Sequence, residues 1–363
     1  MQVKASIMLA AIFCIAIIGY LFFYRDLPAP PLTPEEKTIM DSLFAKTKSQ
    51  CIGRYLFDVP EPFYNSLSDS VKINDMHITS KRLYHPAFEQ RIRLREQELK
   101  KSSVLYPKNS PFLKQTYPLK NIDGVIFDRN TNGSDPAFIR TLEGHLFSNG
   151  IAFIVTTEIR DLSGEQFSDV RESYLRTGSS EAQLNTKPQK LAEMKDLLSR
   201  LSGRKDDEIP TQPGTCIPEG FIRDNGSQNK ETILFVYKNE NFTLGIKSNN
   251  TLEKNVSLLE RGSEIQNAIR SSHSHTMRKG KVSLPGIDAE EWLIRSKQDI
   301  NDNMVDFFAF TLYGNEKIAS YKHPVFSIKL HNRRLVTTHY SDAQLVDIWD
   351  RITRTFRVRP GAF

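Results

Sequence analysis

The chain has 363 residues, of which 39% are hydrophobic, 10% aromatic and 25% charged, and a formal net charge of +6. Those proportions describe one large or two ordinary folded domains and exclude the disordered and collagen-like classes. Lys and Arg alternate with Asp and Glu along most of the sequence, so no basic stripe marks a nucleic-acid surface.

Residues 5–24 form a run of 20 without a charge, preceded by Lys4 and followed by Arg25 and Asp26. A helix of that length crosses about 30 Å of hydrocarbon. The residues that follow, YRDLPAPP, hold no small-x-small cleavage site, and Ile12 and Phe13 before Cys14 are too large for a lipoprotein signal. Residues 1–26 are therefore expected to be an uncleaved signal anchor, with a cleaved signal peptide as the alternative and the body outside the cytoplasm. Cys14 lies inside the run, which leaves Cys51 and Cys216 as the pair in the body. A compartment that permits disulfides makes a Cys51–Cys216 bridge the expectation; two buried thiols are the alternative.

Residues 27–32 (LPAPPL) read as an extended, proline-stiffened spacer. Thr33, Pro34 and Glu36 then open a helix as cap, first residue and reciprocal acceptor, with Ile39, Leu43 and Phe44 as its buried stripe. Tyr55, Phe57 and Val59 alternate with their neighbours as in a half-buried strand. Residues 71–83 are extended around a turn at Asn74-Asp75. Pro86 opens a helix that buries Phe88, Ile92 and Leu99. Its outside carries Arg91, Arg93, Arg95, Lys100 and Lys101 among Glu89, Glu96 and Glu98, the pattern of a salt-bridged face. Residues 125–127 are a short strand, and 142–147 and 151–159 flank Asn149-Gly150, the strongest hairpin signal in the chain. Residues 188–202 close the half as a helix with Leu191, Met194, Leu198 and Leu201 along one face.

Residues 203–222, GRKDDEIPTQPGTCIPEGFI, have the composition of a boundary. A charge run through Asp206, Asp207 and Glu208 leads into prolines and glycines around Cys216, so no helix or central strand is expected through it. Beyond it, 233–237 and 242–246 make a second hairpin around residues 239–241. Residues 259–278 are expected to be helical and to stop at Lys279-Gly280-Lys281. Three strands follow at 291–295, 307–313 and 325–330. Residues 341–356 close the chain as a helix with a Ser341–Gln344 capping box and Leu345, Ile348, Trp349 and Ile352 inside. In each half a cysteine followed by Ile leads into an extended segment, a helix, several strands and a closing helix. The fold class expected is α+β: two domains of related layout, 27–210 and 211–363, mainly antiparallel sheets with packed helices, behind one transmembrane helix.

The motifs of common enzymes are missing: no G-x-S-x-G, H-E-x-x-H, phosphate-binding glycine loop or C-x-x-C occurs. Ser272-His273-Ser274-His275 is the one conspicuous cluster. Histidines two apart fall on different sides of a helix and share a metal only if the segment is extended, and no carboxylate or cysteine stands beside them. His85, His145, His323 and His339 are isolated, and Asp206-Asp207-Glu208 reads as a solvated run. No catalytic residue, cofactor site, metal ligand or small-molecule substrate is assigned. The residues by themselves describe a membrane-tethered binding protein.

GRYLFDVPEPF after Cys51, INDMHITSKRLY, AFEQRIRLREQELKK and NTKPQKLAEM resemble the first domain of an immunity family of bacterial type VI secretion systems. LSGRKDDEIPTQPGTCIP, LLERGSEI, RKGKVSLPGI, AEEWL, EKIAS and AQLVDIWDRITRTFRVRPGAF resemble its second domain. The likeness runs in order over residues 26–363. It implies a non-enzymatic protein, held in the periplasm, that binds a delivered phospholipase effector of the fourth lipase class and blocks it; the uncharged run at 5–24 adds the expected tether to the inner membrane. It transfers no contact residues, because the matching segments belong to the fold. The alternatives are a membrane-anchored envelope assembly or scaffold factor and, third, a hydrolase with a triad assembled from distant positions.

Overall fold

One antiparallel sheet of 13 strands runs through both halves of the chain in the computed structural model. Residues 31–66, 69–252, 256–272, 274–300, 303–332 and 338–363 are described. The expected anchor at 5–24 lies outside them; among the described residues no helix is long and apolar enough to cross a membrane.

Helix α1 (Pro34–Leu43) has the capping box its sequence announces, with Glu36 N donating to Thr33 Oγ1 and Thr33 N to Glu36 Oε2. A hairpin of β1 (Thr47–Ile52) and β2 (Tyr55–Pro60) follows, then β3 (Tyr64–Asn65), β4 (Ser70–Ile73) and β5 (Met76–Arg82). After α2 (His85–Lys101) come β6 (Leu113–Pro118), β7 (Gly124–Asn130), β8 (Ile139–Ser148) and β9 (Ile151–Arg160). Asn149 and Gly150 take φ of 51° and 78° between β8 and β9, the left-handed pair that a two-residue hairpin demands. Helices α3 (Ser168–Arg176), α4 (Glu181–Leu184) and α5 (Lys187–Arg200) end the first half. β10 (Leu201–Gly203) follows α5 as the last strand before residue 210, and the second half has β11 (Gly214–Ile217), β12 (Gly220–Arg223), β13 (Glu231–Lys238), β14 (Phe242–Asn249) and α6 (Gly262–Arg270). It ends with β15 (Ser274–Leu284), β16 (Ile287–Ile300), β17 (Asn303–Gly314), β18 (Val325–Asn332), α7 (Asp342–Thr353) and β19 (Arg357–Val358).

The sheet is joined at its middle, where β4 pairs with β13 through Val71↔Ile233 and Lys72↔Thr232. Outward from that seam one arm runs β4-β5-β9-β8-β7-β6 and the other β13-β14-β18-β17-β16-β15. The two arms therefore follow one order of connection, with α2 and α6 inserted at matching points. Period-two alternation sends Ile233, Phe235 and Tyr237 of β13, Leu244 and Ile246 of β14 and Ile328 and Leu330 of β18 to one side. That inner side is covered by α5, α7 and two small sheets, β1-β2-β19 and β10-β12-β11. Gly144 lets α5 sit close on β8: a Cβ there would stand 3.0 Å from Leu198 Cδ1 and from Met194 Sδ.

Four local expectations are corrected. In α1 the buried residue is Met40, while Ile39 is 50% exposed. The strand at 52–59 is the turn and second limb of a hairpin, buried on both faces between the large sheet and α7. The helix expected over 259–278 covers only Gly262–Arg270, because Ser274–Leu284 pairs along β16 and that ladder overrides helix propensity. Lys279-Gly280-Lys281 lies in mid-strand, on an edge that exposed lysines keep from pairing further. The boundary segment contains two strands, β11 and β12, which build a small sheet with β10 and stay out of the large one.

Candidate partner-binding face and the hub behind it

The outer side of the sheet differs from the inner. Its middle positions hold Lys72 on β4, His77 and Lys81 on β5, Lys238 on β13, Lys247 on β14 and Lys329 on β18, around Leu234 and Val236. No Asp or Glu occupies an outward position of these five strands. Register fixes the neighbourhood: Lys72 lies opposite His77 and Thr232, Leu234 opposite Lys247, and Gly245 opposite Val236 and Lys329. A Cβ on Gly245 would meet no atom within 4 Å, so the face is open above it. Among the described residues, the side chain of none of these five lysines enters an ion pair or a hydrogen bond.

Helices wall this face at both ends. Along one row, Phe127, Glu143, Thr156, His77, Lys72 and Thr232 are successive partners and so share a side. On it α2 packs through Ile92 and Leu99 against Val125 and Phe127. The other row runs Gly245, Lys329, Thr311, Trp292, where α6 packs through Ile265 and Ile269. Between α2 and the sheet lies a groove of about 630 Å³ lined by Gln90, Arg91, Leu94, Glu143 and Thr156, with Leu94 57% exposed. The Glu143 carboxylate beneath it is already spent. It accepts two bonds from Arg95 at 2.8 Å, one from Arg129 at 2.6 Å and one from His145 at 2.8 Å. Burial alone would raise its pKa, but the bonds from Arg95 and His145 and the Arg129 charge hold it well below the usual range.

Behind the face, the start of the first half is clasped to the boundary segment. Cys51 and Cys216 are joined in a disulfide, and Gly53 and Cys216 exchange two backbone hydrogen bonds of 2.8 Å. Three buried arginines hold the joint. Arg54 donates to Asp224 at 2.8 Å, Glu231 at 2.6 Å, Tyr321 Oη at 2.6 Å and the Ala362 carbonyl, between the rings of Tyr321 and Phe363. Burial opposes its charge, yet the bond to Asp224 and the field of Glu231 win and its pKa is raised; Glu231 is itself pushed up by burial against the pull of Arg54. Arg204 donates to the carbonyls of Gly220, Lys205, Glu208 and Cys51. Arg359 donates to those of Pro210, Gln212 and Gly214. With carbonyls instead of carboxylates as partners, both are lowered, Arg359 to about 10, first by burial and then by the charges of Arg54 and Arg204. These arginines bind shape, not substrate.

The residues singled out in the sequence fall elsewhere. Ser272 and Ser274 share a hydrogen bond at the end of α6, His275 sits on edge strand β15, and His273 lies outside the described residues. Among the described residues no three His, Cys, Asp or Glu side chains could hold a metal. His145 is buried on Glu143 and His85 pairs with Asp123. Asp206 is no idle solvated charge: its Oδ1 accepts from Glu219 N at 2.8 Å and pins the boundary loop. Arg95 is likewise not an outer residue of α2 but reaches Glu143. Sequence reasoning missed the outward lysines because alternation marks a polar side, whereas their convergence needs the register of strands more than a hundred residues apart.

The family description "Tle cognate immunity protein 4 N-terminal domain" matches residues 48–204, and "Tle cognate immunity protein 4 C-terminal domain" matches 208–361. No curated protein matches the chain. Among solved structures it is similar to the apo immunity protein TplEi of the type VI secretion system of Pseudomonas aeruginosa, at 18% identity and TM-score 0.67, over 88% of this chain and 99% of that one. It is also similar to a chain of the Tle4–Tli4 complex, at 18% identity and TM-score 0.68, over 87% and 98%. TplEi bound to an "L" peptide matches at 18% identity and TM-score 0.63, over 86% and 98%. At such identity these likenesses speak for the fold, and the paired family matches speak for descent.

Proposed function

The chain belongs to the Tle cognate immunity protein 4 family, and we propose that it binds and inhibits the phospholipase effector of a type VI secretion system, protecting the cell that makes it. The observation that carries this reading is that both family domains follow in order across one continuous fold. An immunity protein works by binding and not by turnover, which suits a molecule whose buried charges are committed to one another. The two domains are residues 27–210 and 211–363, of related layout, gripping the effector from both arms of the sheet. The disulfide supports a place outside the cytoplasm. Residues 1–26 tether the body to the inner membrane from the periplasmic side.

The test is lipid hydrolysis by the purified cognate lipase effector of the Tle4 type, titrated with the full chain. Hydrolysis should fall to background near an equal molar ratio. Undiminished hydrolysis at several-fold excess would reject the assignment for that lipase.

A further inference from the structure

We infer that the effector docks on the outer face of the central sheet, between α2 and α6, through an element that presents carboxylates around a short apolar stretch. This rests on the immunity reading above and adds to it a surface and a chemistry. Lys72, Lys238, Lys247 and Lys329 converge there from four strands, without an ion pair among the described residues and without a carboxylate at any outward position of those strands. Some lysines on other faces are tied to acids: Lys187 reaches Asp128 and Lys190 reaches Glu193, both at 2.9 Å. Lys247 and Lys329 are diagonal neighbours across β14 and β18, and like charges so placed repel each other, which an anionic partner relieves. Leu234 and Val236 lie among the lysines, and Gly245 leaves open space beside Val236. A partner side chain can enter there and exclude water, which strengthens the charge pairs around it. At the α2 wall Glu143 offers no free negative charge, because Arg95 and Arg129 pair with it at 2.8 and 2.6 Å. The occupant is thus a protein element; an anionic membrane is the competing source of negative charge.

The experiment compares the full chain with Lys247→Glu/Lys329→Glu, with the neutral pair Lys247→Gln/Lys329→Gln, and with Lys37→Glu/Lys322→Glu as an exposed pair of equal charge change off this face. Affinity for the purified cognate lipase of the Tle4 type is measured at low and high salt, and binding to phosphatidylglycerol vesicles in parallel. The glutamate pair on the face should weaken lipase binding about 30-fold and flatten its salt dependence, with the glutamine pair between it and the parent. The control pair should bind as the parent does. Parent-like binding by the glutamate pair overturns this surface and leaves the immunity reading standing. Equal loss in both glutamate pairs overturns it too, as a net-charge effect. Vesicle binding that the face substitutions abolish, with lipase binding intact, assigns the face to the membrane instead. A parent chain that does not bind the lipase overturns the underlying reading.

Discussion

At the scale of single residues, the charges that matter most to stability are those water cannot reach. Arg54 is fully buried, and Asp224 and Glu231 depend on it with side chains 16% and 5% exposed. Removing one member of such a set leaves a buried charge uncompensated, a loss of about 3–5 kcal/mol. Arg54→Met should therefore destabilise by that amount in urea, and adding Glu231→Gln should recover part of it. Equal midpoints for the single and double variants would show that Glu231 is not held by Arg54. Asp69 is the opposite case. It accepts from Val236 N at 3.1 Å, but burial, with Asp206 and Glu219 nearby, pushes its carboxyl from 3.8 up to about 6. Between those values the folded chain keeps a proton that the unfolded chain has lost. The stability this group lends is complete below its unfolded pKa and is lost as pH rises through its folded one. Asp69→Asn keeps an acceptor for Val236 and should be the more stable form near neutrality, by on the order of 1 kcal/mol after allowing for solvent screening. The gap should close toward about pH 4 in urea titrations; a gap that does not change with pH would show that Asp69 does not titrate in this range.

At the scale of elements, legibility followed how local the cause is. The capping boxes at Thr33 and Ser341 and the Asn149-Gly150 hairpin are written in three or four consecutive residues, and each stands where the residues put it. The closing helices are equally plain, since Leu198 and Trp349 lie on 3.6-residue stripes that meet the sheet. Strand β15 was misread because its first residues carry no alternation of their own and take their shape from β16. The short α3 and α4 were not expected at all, having no long apolar stripe; only Leu184 among their residues is buried. The candidate face was half legible. The polar alternation of β13 and β14 is visible in the sequence, but the β4–β13 seam that brings Lys72 beside them is not. Nor could the arginine hub be read, because Arg54 meets a partner 170 residues away. A guanidinium buried under its own carbonyls, as Arg204 is, looks in the sequence like any charge in a solvated loop.

At the scale of the molecule, the proposed boundary at residue 210 lies close to the junction of the two family matches, which end at 204 and begin at 208, but it does not divide the fold. Cutting there would strand β10 from β12, β2 from β19 and β4 from β13, so each half would lose strands that pair with the other. It would also part α1 from α7, where Arg351 meets Asp41 at 2.8 Å, and open the Arg54 joint. Residues 27–210 or 211–363 made singly are therefore expected to expose long apolar strand edges and to give no inhibition of the lipase. Made together and secreted, they should find each other, because the seam, the small sheets and the hub all survive in the pair of fragments. Linking weak contacts on two arms raises the effective concentration of the second, so only the reassembled pair should grip the effector. Cys51 and Cys216 fall on opposite sides of the cut, which gives the test a covalent signature. The co-secreted halves should run as one band without reductant and two with it, and should suppress lipid hydrolysis as the intact chain does. Full inhibition by one half would remove the need for both arms. Two free halves that stay unlinked and inactive would show that the seam forms only while the chain is continuous.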